Sequence, residues 1–186
     1  MELCFNMRKE LIRKSKLLSL VLRHDPSAIG IKLDDNGWAS VKDLLQKAAR
    51  AGIAITRAEI DEIVLTNEKR RFDLDVNADR IRANQGHSIE VDVEIPEAVP
   101  PAELFHGSAT RHAESILSQG LLKQQRQHVH LSQDISTARA VGARHGSPVI
   151  FKVMSEEMYR AGHRFYLSKN GVWLTDAVPA NFLVKL

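Results

Sequence analysis

Hydrophobic spacing changes along the chain, and the changes mark its organisation. Leu18, Val21 and Leu22 fall on one helical face, and the pattern stops at Asp25-Pro26. A residue before proline is pushed out of the helical region, so residues 8–24 are expected to form a first helix. Ile29 to Leu33 reads as a short strand, followed by a turn at Asp34-Asp35-Asn36-Gly37 and a return at Trp38. Ser40-Val41-Lys42-Asp43 and Thr56-Arg57-Ala58-Glu59 have the form of capping boxes. The first opens a helix through Leu44, Leu45 and Ala48, stopping near Gly52, and the second a helix through Ile60, Ile63 and Val64. After Asn67 the period falls to two. Phe72, Leu74 and Val76 alternate with Arg71, Asp73 and Asp75, the chain turns at Asn77-Ala78-Asp79, and Arg80-Ile81-Arg82-Ala83 returns. Three helices followed by a basic hairpin is the order of a winged-helix module.

Asn84-Gln85-Gly86-His87-Ser88 reads as a polar loop, and Val91, Val93 and Ile95 alternate again. Pro96, Pro100 and Pro101 mark a boundary, giving domains over 1–95 and 96–186. The second part predicts a strand at Leu104–Ser108, a helix over 112–119 closed by Gly120, and a strand around His128–Ser132. A helix over 137–141, a loop over 142–148, an apolar strand at Val149–Val153 and a short helix from Ser155 follow. Strands at 165–167, 172–174 and 182–186 finish the chain. Short strands with interposed helices indicate an α+β fold.

Composition narrows the classes. Of 186 residues, 44% are hydrophobic and 26% charged, enough to build and cover a core. The longest apolar runs fall far short of a membrane span, and no secretory leader is visible. Cys4 is the one cysteine, which excludes a disulfide framework or a cysteine-rich zinc site. A soluble, cytoplasmic protein is expected. Net charge is +3, and its distribution matters more than its total. Arg8, Lys9, Arg13, Lys14, Lys16 and Arg23 are opposed only by Glu10, so the first helix has a basic side. Such a run is usually a solvated face, but it also suits a nucleic-acid backbone.

Arg23 and His24 end that helix. Arginine offers a planar fork that grips a phosphate at two points, and histidine donates to an oxyanion. Cations also favour helix C-termini for dipole reasons alone. Arg71 lies on the polar face of the hairpin. In the second part there is no G-x-G-x-x-G and no G-x-x-x-x-G-K-[ST], so the usual nucleotide loops are absent. His128 and His130, with His106, could reach one metal ion, but no H-E-x-x-H accompanies them and no metal is expected.

Eight stretches then stand in one order. They are Leu20-Val21-Leu22-Arg23-His24, Gly37-Trp38, Lys69-Arg70-Arg71-Phe72, Ile81 to Ser88, Leu104-Phe105-His106-Gly107-Ser108, His128-Val129-His130-Leu131-Ser132, Gly142-Ala143-Arg144-His145-Gly146 and Asn170-Gly171-Val172-Trp173-Leu174. In this the chain resembles the tRNA 2′-phosphotransferase family, whose second domain is similar to the ADP-ribosyltransferase fold. The resemblance implies NAD+ as co-substrate. It places His106, Gly107, Ser108, His130, Leu131, Ser132 and Val172 at the cofactor. His106 would bond a ribose hydroxyl, and Gly107 would let backbone approach the nicotinamide amide. Val172 falls where many ADP-ribosyltransferases place a glutamate, so modification of protein side chains is not expected.

The implied reaction has two steps. An internal RNA 2′-phosphate attacks the nicotinamide ribose and expels nicotinamide, giving an RNA-2′-phospho-ADP-ribose intermediate. The 2″-hydroxyl then attacks the phosphate, releasing 2′-OH RNA and ADP-ribose 1″,2″-cyclic phosphate. Arg23, His24, Arg71 and Arg144 would serve catalysis, in a cleft between the domains. The expected partner is 2′-phosphorylated RNA, with tRNA as the family substrate, and a monomer is expected. Two alternatives stand beside this reading: an ADP-ribosyltransferase acting on nucleic-acid ends, and a winged-helix regulator without catalysis.

Overall fold

The computed structural model describes residues 2–186, with side chains from residue 8 onward. Cys4 therefore lies outside the residues whose side chains are described. The chain forms two compact units, Met1–Glu94 and Ile95–Leu186. Helix and strand are mixed in both, as an α+β chain requires.

The first unit begins with α1 (Glu2–Val21). Leu18, Val21 and Leu22 are fully buried and anchor its C-terminal end in the core. The helix stops three residues short of the expected 24. Asp25 accepts from the Ala28 N–H at 3.1 Å and starts a 3-10 turn over Pro26–Ala28 instead. The strand expected at 29–33 does not form. Ile31 N–H bonds back to the Pro26 carbonyl at 3.0 Å, and Gly30 sits at φ +74°, so this stretch folds on itself rather than finding a partner strand.

Both capped helices are present. Ser40 accepts from the Asp43 N–H at 3.3 Å to open α2 (Val41–Arg50), although the Asp43 carboxylate turns to Lys47 at 3.0 Å. Thr56 and Glu59 close a complete capping box on α3 (Arg57–Thr66). β1 (Ala39–Ser40), β2 (Phe72–Asp75) and β3 (Arg80–Ala83) form one antiparallel sheet in the order β1-β3-β2. Phe72, Ile81 and Ala83 close the core over Leu44, Ile60 and Ile63. Residues 91–95, read as alternating, form no strand.

In the second unit β4 (Leu104–Ala109), β7 (Pro148–Val153) and β11 (Leu183–Lys185) pair antiparallel in the order β11-β7-β4. Between β4 and β7 come α4 (Ala113–Gln119), β5 (Leu121–Leu122), β6 (Val129–Leu131) and α5 (Ile135–Gly142). α6 (Ser155–Arg160) follows β7, then β8 (Tyr166–Leu167), β9 (Trp173–Thr175) and β10 (Ala177–Val178). β6-β9-β8 is a second sheet and β10-β5 a small third one. The loop expected over 142–148 contains a 3-10 turn at Ala143–His145. Leu104, Leu131, Phe151, Met158, Phe165 and Trp173 form the core. Among the described residues no helix is long and apolar enough to cross a membrane.

Candidate active site

In the first unit the chain beyond Val21 is held by one carbonyl. The N–H groups of His24 and Asp25 both donate to the Leu20 oxygen, at 2.8 and 2.9 Å. Arg23 and His24 therefore occupy a fixed turn just past α1, not its last helical turn. Arg71 is positioned from the other side. The Arg70 N–H bonds the Asn67 carbonyl at 2.7 Å, and the Lys69 N–H bonds the Asn67 side chain at 3.1 Å. This tight turn puts Arg70 in the left-handed region at φ +40° and delivers Arg71 to the start of β2.

The two positions then meet. Arg23 Nη2 donates to the Arg71 carbonyl at 3.4 Å, and Arg71 Nη1 donates to Asn67 Oδ1 at 3.3 Å. The Arg23-His24 turn and Arg71, at least 47 positions apart in the chain, thus form one cluster of donors. An open groove of about 820 Å³ is lined by Arg71 together with Arg8, Lys16, Lys69, Glu62 and Glu68.

The segment after β3, read as a polar loop and as one of the stretches that carry the resemblance, is part of this site. Asn84 is buried; its N–H donates to the Arg71 carbonyl at 2.9 Å and its side chain to the Arg70 carbonyl at 2.6 Å. His87 is 1% exposed. Among the described residues neither of its ring nitrogens reaches a hydrogen bond of good geometry. Burial, then the positive charges of Arg23, His24 and Arg82, push its pKa down to about 4, opposed by the Leu22 backbone. Arg82 is itself buried beneath Trp38, with its guanidinium 4.5 Å from the ring centre, and reaches Asp73 and Glu94 at 3.8 Å.

A neutral His87 makes stability depend on pH. Below its ordinary value of 6.5 the unfolded chain takes a proton that the native state refuses until about pH 4. Stability is therefore complete above pH 6.5 and falls as the pH drops toward 4. The loss attributable to this one group is about 3 kcal/mol at most. Denaturant melts from pH 7 to pH 4 should show a shallower acid decline in His87→Leu than in the wild type. Parallel declines would mean that His87 protonates freely in the native state.

In the second unit β4 and β6 are tied together. Phe105 and Ser132 exchange N–H to carbonyl bonds, both 2.8 Å. His106 Nδ1 bonds the His130 carbonyl at 3.1 Å, and His130 Nδ1 bonds the His128 carbonyl at 3.0 Å. A carbonyl only accepts, so both rings carry the proton on Nδ1 and present Nε2 as an acceptor when neutral. Burial pushes the His106 pKa down; the His130 backbone opposes this and the charge of Arg126 adds to it. His106 is therefore a neutral acceptor, suited to a hydroxyl donor. Leu131 is a core residue, and its strand partner is Trp173. Val172 precedes that tryptophan, with its N–H held by Ser168 Oγ at 3.0 Å.

Gly107 and Ser108 lie where α5 crosses β4. A Cβ at Gly107 would stand 1.7 Å from the Ala138 carbonyl oxygen. Helix packing therefore requires glycine here, beside the approach to a nicotinamide amide that the resemblance implies. Backbone groups of residues i and i+2 in a strand point to the same edge. Phe105 bonds Ser132 across one edge of β4, so the N–H and C=O of Gly107 face that edge too.

Arg144 is exposed on the 3-10 turn after α5 and, among the described residues, makes no hydrogen bond or ion pair. Arg126, which the sequence did not single out, is the cation whose field reaches His106. Its only signal was its place four residues before His130, in a polar stretch of ordinary appearance. The His128 ring lies against Tyr166, tilted 57° with the ring centres 5.5 Å apart. No group of three metal-ligating side chains occurs among the described residues.

Residues 9–177 match the family described as RNA 2′-phosphotransferase, Tpt1 / KptA family. A relative from Hahella chejuensis, named probable RNA 2′-phosphotransferase, is 55% identical over 177 residues, covering 95% of each chain. One of the same name from Streptomyces griseus is 51% identical over 93% of this chain and 95% of its own. Another, from Nostoc punctiforme, is 50% identical over 95% of this chain and 97% of its own.

Proposed function

The chain belongs to the RNA 2′-phosphotransferase, Tpt1 / KptA family and is an enzyme of that activity; on this premise we propose how its residues share the work. Arg23, His24 and Arg71 hold the internal 2′-phosphate of the RNA substrate. The bond from Arg23 to the Arg71 carbonyl, with His24 beside Arg23 in the same turn, carries the reading. A phosphate monoester carries about −1.5 to −2 charge at pH 7, which two guanidinium forks and an imidazole donor can match. The groove lined by Arg8, Lys16, Lys69 and Arg71 takes the flanking strand. We read the first unit as a winged-helix-like module and the second as an ADP-ribosyltransferase-like one.

NAD+, consumed as a co-substrate, supplies the ADP-ribosyl group that accepts the phosphate. The second unit fits it by the chemistry of its donors and acceptors. His106 and His130, with Nδ1 bonded to carbonyls, turn Nε2 to ribose hydroxyls. The Gly107 N–H and C=O on the β4 edge pair with a carboxamide, which needs one acceptor and one donor. Ser108, Leu131, Ser132 and Val172 shape the wall around them. Arg144, and Arg126 whose charge reaches His106, are both candidates for the cation that this unit supplies to the transferred phosphate.

The role of the clustered cations follows from charge. When the 2″-hydroxyl attacks phosphorus, the new P–O bond forms as the bond to the RNA 2′-oxygen breaks. Negative charge gathers on the equatorial oxygens, where preorganised donors stabilise it most. The attacking 2″-hydroxyl gives up its proton, the leaving 2′-oxygen takes one up, and 2′-OH RNA departs.

The test is product identity. Protein, NAD+ and an oligonucleotide with one internal 2′-phosphate should yield nicotinamide and ADP-ribose 1″,2″-cyclic phosphate. A lasting RNA adduct would instead mark an enzyme that stops after the first step, and unconsumed NAD+ would mark a binder. Turnover should be unchanged by excess chelator; loss in chelator with rescue by zinc or magnesium would contradict the metal-free reading.

A further inference from the structure

Ser88 makes two bonds to the Arg23-His24 turn. Its N–H donates to the Arg23 carbonyl at 3.0 Å, and its Oγ lies 2.9 Å from His24 Nδ1. At the other end of the same short segment Asn84 bonds the carbonyls of Arg70 and Arg71. Between these ends His87 is plugged into the interior, close against Gly37. Residues 84–88 thus form a clamp that spans from Arg71 to His24, anchored by a buried ring.

We propose that Ser88 is a positioning residue for catalysis, holding His24 in the tautomer that presents an Nε2–H to the 2′-phosphate. This rests on the reading that His24 holds that phosphate. The chemistry selects the tautomer. An anion needs a donor, and Nε2 lies on the opposite side of the ring from Nδ1. A neutral imidazole carries one proton, so Nδ1 must accept if Nε2 is to donate. A serine hydroxyl can donate to Nδ1 and so supports this form. The same hydroxyl can rotate and accept from Nδ1–H if the ring becomes an imidazolium, which still donates from Nε2. A backbone carbonyl, the partner of His106 and His130, would enforce the opposite neutral tautomer. The chain thus sets His24 apart from its NAD+-side histidines by the type of atom placed against Nδ1.

Ser88→Ala keeps the backbone bond to Arg23 and removes only the hydroxyl, and the side chain is exposed, so folding should be unaffected. Two readouts decide the matter. The first is 15N NMR of the His24 ring in the RNA-free protein above its titration. The wild type should show a protonated-type Nε2 and an unprotonated-type Nδ1, and Ser88→Ala should shift toward a mixture. The second is single-turnover kinetics, in which Ser88→Ala should slow the second step roughly fivefold, the worth of one hydrogen bond, and Ser88→Thr should restore it. An Nδ1–H tautomer in the wild type, or wild-type rates and ring signals in Ser88→Ala, would overturn the proposal. A wild-type protein inactive on 2′-phosphorylated RNA would sink the functional reading instead, and the NMR result would still decide the tautomer.

Discussion

Arg23→Ala, His24→Ala and Arg71→Ala should each slow the second chemical step by on the order of 10²–10³, the usual cost of one aligned donor at a developing oxyanion. The first step should slow less, so RNA-2′-phospho-ADP-ribose should accumulate. In the first step the phosphate is the nucleophile and loses charge as its new bond forms. In the second it becomes phosphorane-like and gains charge at its equatorial oxygens. Interactions stronger in a transition state than in its ground state are the ones that accelerate it. Arg71→Lys should not restore the rate, because an ammonium cannot reproduce a two-point fork.

The structure supplies a control for mere structural loss. Arg23 Nη2 donates to the Arg71 carbonyl, but the Asn84 N–H donates to the same oxygen at 2.9 Å. Removing the Arg23 side chain therefore leaves that carbonyl satisfied, and the stability cost should be about 1 kcal/mol. A single-turnover time course with end-labelled RNA, run well below the melting temperature, separates the two effects. Full activity in Arg23→Ala and His24→Ala would remove the pair from the phosphate site.

Local chemistry explains which elements could be read in advance. α2 and α3 announce themselves through Ser40 and Thr56, whose side chains do satisfy N–H groups three residues on. The hairpin is visible because Phe72 and Leu74 alternate with charged residues and register against Ala83 and Ile81. What failed depended on partners remote in sequence. Ile29–Leu33 has strand composition, but β3 is paired by Ala39–Ser40 on one side and β2 on the other. The 84–88 segment is polar by composition and yet buries Asn84 and His87, because their partners are Arg70, Arg71 and the end of α1. Arg126 could be told from other exposed cations only once β4 and β6 were joined through Phe105 and Ser132.

Gly107→Ala is the case in which the structure replaces the reason for a residue and changes its prediction. The family resemblance implies that an added methyl group would crowd nicotinamide and impair NAD+ use more than RNA binding. In the structure the methyl would stand 1.7 Å from the Ala138 carbonyl oxygen and 2.5 Å from its carbon. Both are backbone atoms of α5, so no rotamer change relieves the clash and the helix itself must move. Gly142, at the other contact of the same crossing, blocks an easy escape: a Cβ there would already lie 2.8 Å from the Ser108 carbonyl. Overpacking against side chains costs about 1–3 kcal/mol, and against fixed backbone the cost should be at the top of that range or beyond it. The melting temperature should fall by more than roughly 10 °C, since each kcal/mol shifts a domain of this size by about 4–8 °C. Ala138→Gly in the same chain should not rescue it, because the obstructing oxygen belongs to the backbone. Thermal melts of Gly107→Ala, Gly142→Ala and the Gly107→Ala/Ala138→Gly pair decide between the two accounts. A Gly107→Ala protein that melts with the wild type but binds NAD+ weakly would return the glycine to the nicotinamide, and α5 would not be the reason it is there.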